Sequence, residues 1–437
     1  MLKRIQGLAN KAFTHLRLLR DDPETFGRNV LQYTQPQLFE SRLVDVLSCP
    51  QHHLHVDPDR PPALNVMQAG LGSAGMTGGP NTIVLLAALA AETGLTVRIV
   101  THSPGATTDF SWFASHVSSL LGRPMPPTLE VVSAADSDHP ATVGKRDLWL
   151  ATHWTTAQAV KPILDLMHRR WFLYLIQDFE PGFYPWSSNY ALSLETYQMP
   201  HRAIVNERFL ADYLVERRAG LYAEAGFGAQ HAIAFDPAVD RRVFYPPTQS
   251  SPGSKRRLLF YARPTNPRNL FGLGLQALRA AVRNGVFSGD WEFLSIGSRG
   301  SLPVLDLGSG LQLRPEPWAG YSAYADLLRT ADLLLCPMLS PHTSYPVLEM
   351  AACGGTVVTC SYGPKSAAAL AALSPDILGV PPTSQGLLDG LAAAAQLAGK
   401  PKQDRLQLPA SWDDVLPPIV DWVVHNVNGV DWPFGGG

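Results

Sequence analysis

Short apolar runs alternate with longer stretches of helical periodicity along most of the chain. The runs ALNVMQAG, TVRIVTHS and WFLYLIQDF are almost continuously apolar. Amphipathic or apolar segments of helical length lie between them, such as the one that opens at Pro80, a residue suited to the first turn of a helix. Strands that are apolar on both faces predict a parallel sheet covered by helices on both sides.

The alternation is interrupted once and then restarts. Residues 246–256, PPTQSSPGSKR, have the composition of a linker. We therefore predict an α/β fold with two doubly wound halves. The predicted divisions are an N-terminal helix and lead-in at 1–62, a first domain at 63–245, a second domain at 257–405 and a C-terminal helix at 406–437 that crosses back onto the first domain.

Composition excludes several classes of protein. Hydrophobic residues make up 46% of the 437-residue chain and charged residues 16%, which predicts large cores and excludes a disordered chain. The net charge of -2 provides no general attraction for nucleic acid, so no nucleic-acid partner is expected. The 4 cysteines form no CxxC pair, which favours a reduced, cytoplasmic protein without a structural zinc site.

The first twenty residues have the pattern of an amphipathic helix. Apolar side chains recur on one face from Leu2 to Leu19, and basic residues lie outside that face. Such a helix suits the surface of an anionic membrane, which would place the protein peripherally at its inner face. We favour the alternative that residues 1–20 pack on the protein itself or on a second subunit of a homo-oligomer. No apolar run reaches the roughly 18 residues of a membrane span.

A glycine-rich loop precedes the helix that opens at Pro80. Glycines let backbone N–H groups approach an anion, and a helix N-terminus favours negative charge. The loop contains the spacing of a dinucleotide-binding motif, but no acidic residue follows about twenty positions later, where that motif needs one. We therefore expect Gly78 and Gly79 to contact a phosphate or a sugar, with a glycine-rich surface turn as the alternative.

A second candidate loop, YARPTNPRN, follows the first strand of the second half. Arg263 and Arg268 stand five residues apart on it. Two guanidinium groups at the end of a strand suit a diphosphate, because they form charge-assisted hydrogen bonds. The alternative is a solvated loop.

Two carboxylates, Asp178 and Glu180, follow the apolar strand FLYLI. In an extended segment they would point the same way and could perform acid–base chemistry or hold sugar hydroxyls. A metal is not expected, because no histidine or third acid lies near them in sequence. His102 and His153 also follow strands. Each alone is more commonly structural, but together at one sheet edge they are better candidates, and we include His153 with Asp178 and Glu180 as candidate catalytic residues.

Several stretches resemble the GT-B glycosyltransferases, most of all family 4, over roughly residues 63–400. AIVNERFLADYL resembles that family's strand–Ser–Glu–helix segment, with Asn206 in place of the serine, and AFDPAVDRRVFYPP resembles the segment before its linker. YLIQDFEPGFYPWSSNYALSLETY and LSPHTSYPVLEMAACG are similar to bacterial rhamnosyltransferases of surface-layer and O-antigen-type rhamnans. The resemblance implies two Rossmann-like domains that face each other across a cleft.

The resemblance also implies roles for residues of the second domain. Glu349, expected at the start of a helix, would hydrogen-bond the ribose of a nucleotide. Family 4 has another glutamate eight residues earlier, where this chain has Pro341 followed by His342. That departure argues against glucose or mannose, and together with the rhamnosyltransferase resemblance it fits a 6-deoxy sugar, dTDP-rhamnose. The residues expected to bind the donor are Gly78, Gly79, Arg263, Arg268, His342, Ser344, Tyr345 and Glu349.

The predicted function is transfer of rhamnose from dTDP-rhamnose to a saccharide or lipid-linked glycan of a cell-surface polysaccharide. No cofactor or metal is expected, since arginines and a helix dipole can stabilise the leaving diphosphate. Asp178 is expected near the reacting carbon. Retention of configuration is implied by the resemblance, whereas a general base at Asp178 would suit inversion. The alternatives are a nucleotide-sugar epimerase and a catalytically inactive glycan-binding or scaffold protein.

Overall fold

A computed structural model describes residues 52–68, 70–72, 76, 78–102, 110–247, 255–298 and 302–429. The amphipathic segment predicted at residues 1–20 lies outside the described residues. Within the described ranges, no helix combines the length and the apolar character that crossing a membrane requires.

The N-terminal domain is built on a parallel sheet. Its described strands are β1 Leu54–Asp57, β2 Leu64–Gln68, β3 Val97–Thr101, β4 Leu129–Ser133, β5 Ala141–Gly144, β6 Leu148–Ala151, β7 Phe172–Ile176, β8 His201–Asn206 and β9 Ala232–Phe235. Its described helices are α1 Gly79–Glu92, α2 Phe113–Leu121, α3 Trp154–Ile163, α4 Ser188–Glu195, α5 Arg208–Glu216 and α6 Phe227–Gln230. Seven strands pair in the order β4-β3-β2-β6-β7-β8-β9, all parallel, while β1 pairs with β5 in a separate ladder.

The C-terminal domain repeats this design. Its described strands are β10 Arg256–Tyr261, β11 Trp291–Ile296, β12 Leu305–Gly308, β13 Leu311–Pro315, β14 Leu333–Cys336, β15 Thr356–Cys360 and β16 Ile377–Val380. The described helices that follow are α7 Phe271–Arg283, α8 Tyr321–Thr330, α9 Tyr345–Ala352, α10 Ala367–Leu373, α11 Ser384–Ala395, α12 Trp412–Val415 and α13 Pro417–Val427. The strand order is β12-β13-β11-β10-β14-β15-β16, and only the β12–β13 pair of these described strands is antiparallel.

Each sheet separates two apolar cores, as the continuously apolar strands predict. In β7, Phe172 and Tyr174 pack into one core, while Leu173 and Leu175 pack into the other. Successive side chains of a strand point to opposite faces, so a strand buried on both faces is apolar at most positions. Complete burial of such a side chain contributes about 1.5–3 kcal/mol. The predicted α/β fold with two doubly wound, Rossmann-like domains is confirmed.

Segments of the chain cross between the domains in both directions. Helix α13 buries Ile419 and Val423 in the core of the N-terminal domain, against α1. The stretch that follows β9 buries Val239 and Phe244 in the core of the C-terminal domain. These crossings tie the two sheets together.

Two local expectations were wrong or incomplete. The lead-in was expected to be irregular up to residue 62, but Leu54–Asp57 form strand β1 in parallel register with Ala141–Gly144. The β12–β13 hairpin was not predicted. Both are short, half-exposed strands, for which the partner rather than the apolar pattern decides the structure.

A glycine supports the loop that carries Asp178. Gly220 has a φ of +55°, and a Cβ atom there would lie 2.0 Å from the backbone oxygen of Tyr197. The Tyr197 hydroxyl accepts a hydrogen bond from the Glu180 N–H at 3.3 Å and donates to the Asp178 carbonyl at 3.4 Å. A change at Gly220 therefore reaches the loop through Tyr197.

We expect Gly220→Ala to lower the free energy of unfolding by about 2–5 kcal/mol, because a strained φ adds to a steric clash. The matched control is Gly94→Ala, at a φ of +88° with nothing within 4 Å of the added Cβ. The control should lose only about 1–2 kcal/mol. Denaturant unfolding of both variants measures the difference, and equal losses would show that the contact with Tyr197 relaxes.

Candidate functional site

The candidate residues converge where the carboxyl ends of the two sheets meet. Asp178 and Glu180 follow β7, and His153 follows β6. The loop at 337–344, which contains His342 and Ser344, follows β14 of the other domain. Ligands of open parallel sheets bind at this edge, so the location agrees with a binding cleft.

Asp178 forms one of the links between the domains. Its carboxylate pairs with the guanidinium of Arg268 and accepts a hydrogen bond from the Ser340 hydroxyl at 2.5 Å. The Asp178 side chain is 8% exposed and that of Arg268 is 17% exposed. The structure thus joins a predicted catalytic residue to a predicted diphosphate-binding residue. Ser340 was not identified from the sequence.

Arg268 is held on several sides. Its guanidinium lies over the ring of Phe183, 4.5 Å from the centroid, and its Nη1 lies 3.0 Å from the sulfur of Met338. Its Nε is buried and has no hydrogen-bond partner among the described residues. Arg263, on the same loop, is half-buried and lies beside the hydroxyl of Tyr261. The two arginines therefore occupy different surroundings.

Glu180 does not share the direction of Asp178, so that prediction was wrong. Glu180 opens a 3-10 turn, Glu180–Phe183, and the chain is not extended there. Its buried carboxyl accepts hydrogen bonds from the Trp154 N–H at 2.5 Å and from the Tyr174 hydroxyl at 3.2 Å. Burial raises the pKa of Glu180 to about 8, although the Trp154 N–H opposes the shift. Glu180 therefore holds the first turn of α3.

His153 also serves α3. It is the N-cap residue, and its Nδ1 accepts a hydrogen bond from the Thr155 N–H at 3.3 Å. Its Nε2 lies 4.0 Å from Glu180 Oε1, and partial burial lowers the pKa of His153. An imidazole that accepts at Nδ1 carries its proton on Nε2. The side chain is 36% exposed, so it remains accessible from the cleft.

Glu349 lies within helix α9 rather than at its start, so the prediction that it opens the helix was wrong. The helix begins at Tyr345 because Pro346 occupies its first turn, where a missing N–H costs nothing. Glu349 is 8% exposed and lies beside the hydroxyl of the buried Tyr324. Burial raises the pKa of Glu349 to about 8.

The glycine pair contacts the C-terminal domain. Gly78 has a φ of +49°, and a Cβ atom there would lie 3.5 Å from the ring of Tyr345. The Tyr345 hydroxyl is hydrogen-bonded to Asn206 Nδ2 at 2.8 Å and to the Thr82 hydroxyl at 2.8 Å. The carbonyl oxygen of Gly79 accepts a hydrogen bond from Gln177 Nε2 at 3.3 Å. Tyr345 thus packs against the start of α1.

His342 faces the N-terminal domain. Its Nδ1 accepts a hydrogen bond from the Ser344 N–H at 3.0 Å, and its Nε2 lies 3.5 Å from a carboxylate oxygen of Glu207. Glu207, Thr343 and Lys365 belong to this cluster and were not identified from the sequence. Glu207 and Lys365 follow the ends of β8 and β15. The rule that polar residues after parallel strands mark the binding edge, which identified Asp178, could therefore have identified them too.

No group of three or more His, Cys, Asp or Glu side chains that could hold a metal ion occurs in the described part of the chain.

The architecture is that of GT-B proteins, the class in which two Rossmann-like domains face a common cleft. Sucrose-phosphate synthase from Thermosynechococcus elongatus superposes with a TM-score of 0.55, at 14% identity over 84% of this chain and 99% of that one. The catalytic domain of starch synthase IV from Arabidopsis thaliana, bound to ADP and acarbose, gives a TM-score of 0.52, at 13% identity over 85% and 100%. At these identities the likeness shows the fold.

Sequence relatives narrow the class. Residues 63–207 match the family described as WsaF, N-terminal domain, and residues 256–392 match WsaF, C-terminal domain. The O-antigen biosynthesis protein RfbC of Myxococcus xanthus is 36% identical over 222 residues, which are 49% of this chain and 15% of that protein. The chain thus spans a small part of that relative. Both domains of this chain are thus similar to domains of the WsaF type.

The raised pKa of Glu349 predicts how stability depends on pH. A carboxyl whose pKa rises from 4.5 to about 8 on folding favours the folded state fully below pH 4.5, and this contribution is lost as the pH rises through 8. As the pH rises from 5 to 9, the free energy of unfolding of Glu349→Gln should therefore increase relative to that of wild type. The increase should be about 1.4 kcal/mol for each unit by which the pKa of Glu349 differs between the folded and unfolded states.

Melting temperatures of wild type and Glu349→Gln across this range test the expectation. Glu224→Gln is the control, since Glu224 is exposed. The difference between wild type and Glu349→Gln should change with pH, and that between wild type and Glu224→Gln should stay constant. Parallel curves for all three proteins would show that Glu349 is not protonated on folding.

Proposed function

We propose that the protein is a glycosyltransferase that transfers rhamnose from dTDP-rhamnose to a saccharide acceptor of a cell-surface polysaccharide. The donor would lie mainly against the C-terminal domain and the acceptor mainly against the N-terminal domain. The observation that carries the proposal is the buried Nε of Arg268, which has no partner among the described residues. A buried donor without a partner is costly, and a phosphate oxygen would satisfy it.

The charges near Arg268 also suit a diphosphate. Arg263 and Arg268 carry permanent positive charge on one loop. The Asp178 carboxylate pairs with Arg268, whereas Glu180 and Glu349, whose pKa values are raised to about 8, are mostly protonated at neutral pH and add little further negative charge. In the proposed reaction the arginines stabilise the charge that develops on the departing dTDP. No metal or cofactor is assigned a role.

The donor sugar is proposed from the resemblance to rhamnosyltransferases and from the loop 337–344. Where family 4 has its first glutamate, this chain has Pro341 and His342. The ring of His342 faces Glu207, and neither Pro341 nor His342 supplies the carboxylate that family 4 presents to the sugar. A site without that carboxylate has lost an acceptor for a sugar hydroxyl, which fits a 6-deoxy sugar. Glu349 would bind the pentose of the nucleotide, and Ser344 and Tyr345 would line the donor site.

The acceptor is proposed from the relatives. The RfbC protein carries the name of an O-antigen biosynthesis protein, and O-antigens are surface polysaccharides. A saccharide or lipid-linked glycan acceptor would be met in the cytoplasm or at the inner face of the membrane.

A nucleotide-sugar donor is compatible with this fold. A solved structure of Anabaena HepE in complex with UDP-glucose has the same fold, with a TM-score of 0.51 at 13% identity over 84% of this chain and 100% of that one.

Asp178 is proposed to act at the reacting centre. It is the carboxylate that meets Arg268 at the domain junction, so a donor whose diphosphate contacts Arg268 would bring its reacting carbon near Asp178. If Asp178 removes the proton from the acceptor hydroxyl, the configuration inverts, whereas family 4 retains it. The anomeric configuration of the first product, read by NMR, distinguishes the two.

A second candidate function is a GT-B protein that binds glycans without turnover. It is favoured by the missing family 4 glutamate and by the pairing of Asp178 with both Arg268 and Ser340. Release of dTDP only in the presence of acceptor supports transfer. Glycan binding with no release of nucleotide from any nucleotide sugar supports the second candidate.

Thermal shifts with dTDP, UDP and GDP test the donor. A nucleotide at 100 times its dissociation constant stabilises the folded protein by about 2.7 kcal/mol, which a melting curve resolves easily. We expect dTDP to raise the melting temperature more than UDP or GDP at equal concentration. Equal shifts from all three nucleotides would contradict the assignment of dTDP.

Two substitutions separate nucleotide binding from chemistry. Arg263→Ala should weaken dTDP binding by about 1.5–3 kcal/mol, because a charged hydrogen bond is lost. Asp178→Asn should lower kcat by about 10²–10⁴-fold with dTDP affinity near that of wild type. The control is Asp165→Asn, since Asp165 pairs with Arg170 on the surface. Loss of dTDP binding in Asp178→Asn would place Asp178 in the nucleotide pocket and remove its catalytic assignment.

A further inference from the structure

Glu207 has an unusual backbone for a residue with a side chain. It follows β8 and precedes α5, with a φ of 128° and a ψ of 145°. Residues other than glycine rarely adopt such a positive φ, and when they do the surrounding structure must hold them there. Across the domain junction, Ser344 also has a positive φ, of 84°. The two strained residues belong to one set of contacts.

The carboxylate of Glu207 reaches into the C-terminal domain. It accepts a hydrogen bond from the Thr343 N–H at 2.9 Å and another from the Thr343 hydroxyl, and it lies 3.5 Å from His342 Nε2. The side chain of Glu207 is 4% exposed. A buried carboxylate needs such donors, because burial without partners is costly. Glu207 therefore holds residues 342–343 from the side of the N-terminal domain.

Lys365 holds the same loop from within its own domain. Its side chain is completely buried, and its Nζ donates to the carbonyl oxygens of Met338 at 3.3 Å and His342 at 3.2 Å. Lys365 and Glu207 thus contact the loop from different domains, and both reach His342. The segment 338–344 is clamped by hydrogen bonds from both domains.

This loop carries the parts of the proposed site. Its Ser340 hydrogen-bonds to Asp178, and its Ser344 is the N-cap residue of helix α9, which contains Tyr345 and Glu349. Movement of the loop would therefore displace the contact with Asp178 and the start of α9 together. Glu207 belongs neither to the contact with Asp178 nor to α9, but it binds the loop to the N-terminal domain.

We propose that Glu207 is a positioning residue, which fixes the segment 338–344 against the N-terminal domain and so sets Asp178 and helix α9 in one arrangement. The strained backbone at Glu207 aims the carboxylate across the junction, an orientation that an ordinary backbone at this point would not provide. The consequence for turnover rests on the proposed function, whereas the consequence for the loop does not.

Two variants and a control test the proposal. Glu207→Gln keeps the size of the side chain but removes its charge. Glu207→Gly removes the side chain at a φ that glycine adopts readily, so it separates loss of the carboxylate from loss of stability. Glu216→Gln changes an exposed glutamate on α5, the helix that follows Glu207. Hydrogen–deuterium exchange of a peptide covering residues 338–350 follows the loop, and kinetics with dTDP-rhamnose follow turnover.

We expect exchange in this peptide to be about tenfold faster in both Glu207 variants and unchanged in Glu216→Gln, because the loop opens more easily without the clamp. We expect kcat to fall by about 10–100-fold, since misplacement of catalytic groups by about 1 Å has effects of this size. The dTDP affinity should change less than kcat, and kcat of Glu207→Gly should fall by more than its folded fraction accounts for.

The outcomes separate the two proposals. Unchanged exchange in both Glu207 variants overturns the positioning role. A fall in kcat that only tracks a lower melting temperature and a smaller folded fraction overturns it as well, because that is the result of a purely structural role. If the wild-type protein releases no dTDP from dTDP-rhamnose with any acceptor tested, but exchange in the loop is faster in the variants, the proposed function fails and the positioning role of Glu207 stands.

Discussion

The pairing of buried charges between two domains is the constraint on which the site depends. Parallel sheets present their carboxyl ends at one edge, and here two such edges meet. Charged side chains that are removed from water at this junction are stable only with partners. Asp178 therefore pairs with Arg268, and Glu207 is bound by the loop that Lys365 supports. These pairings hold the loops that follow β7 and β14 against each other, and Ser344, Tyr345 and Glu349 take their positions from the loop after β14.

The same junction contains carboxyl groups of two kinds. Asp178 is matched by a guanidinium, whereas Glu180 and Glu349 are surrounded mainly by tyrosines, tryptophan and backbone, and burial raises the pKa of each to about 8. Carboxyl groups in different environments can take different roles. The Asp178 carboxylate is held by Arg268 and Ser340, and a protonated Glu349 can donate a hydrogen bond to a ligand. The fold thus obtains different chemistry from the same side-chain type.

Sequence reasoning located the loops correctly but did not orient all their side chains. The rule that polar residues after parallel strands lie together led to Asp178 and Arg268, which the structure joins. The same reasoning placed Glu180 beside Asp178, but a 3-10 turn rotates Glu180 towards Trp154. It also overlooked Glu207, whose partners lie more than a hundred residues away. Local patterns carry no information about such distant contacts.

The sequence by itself determined the two parallel sheets, because strands buried on both faces are apolar at most positions, and such runs alternating with helices are typical of parallel sheets. It also determined which loops carry polar residues at the strand ends. Only the tertiary structure decided that Leu54–Asp57 form a strand, that Glu180 turns towards Trp154, and that Glu207 reaches the opposite domain. Each of these depends on a partner distant in sequence, and the free energy of such a contact exists only once the chain has brought both partners together.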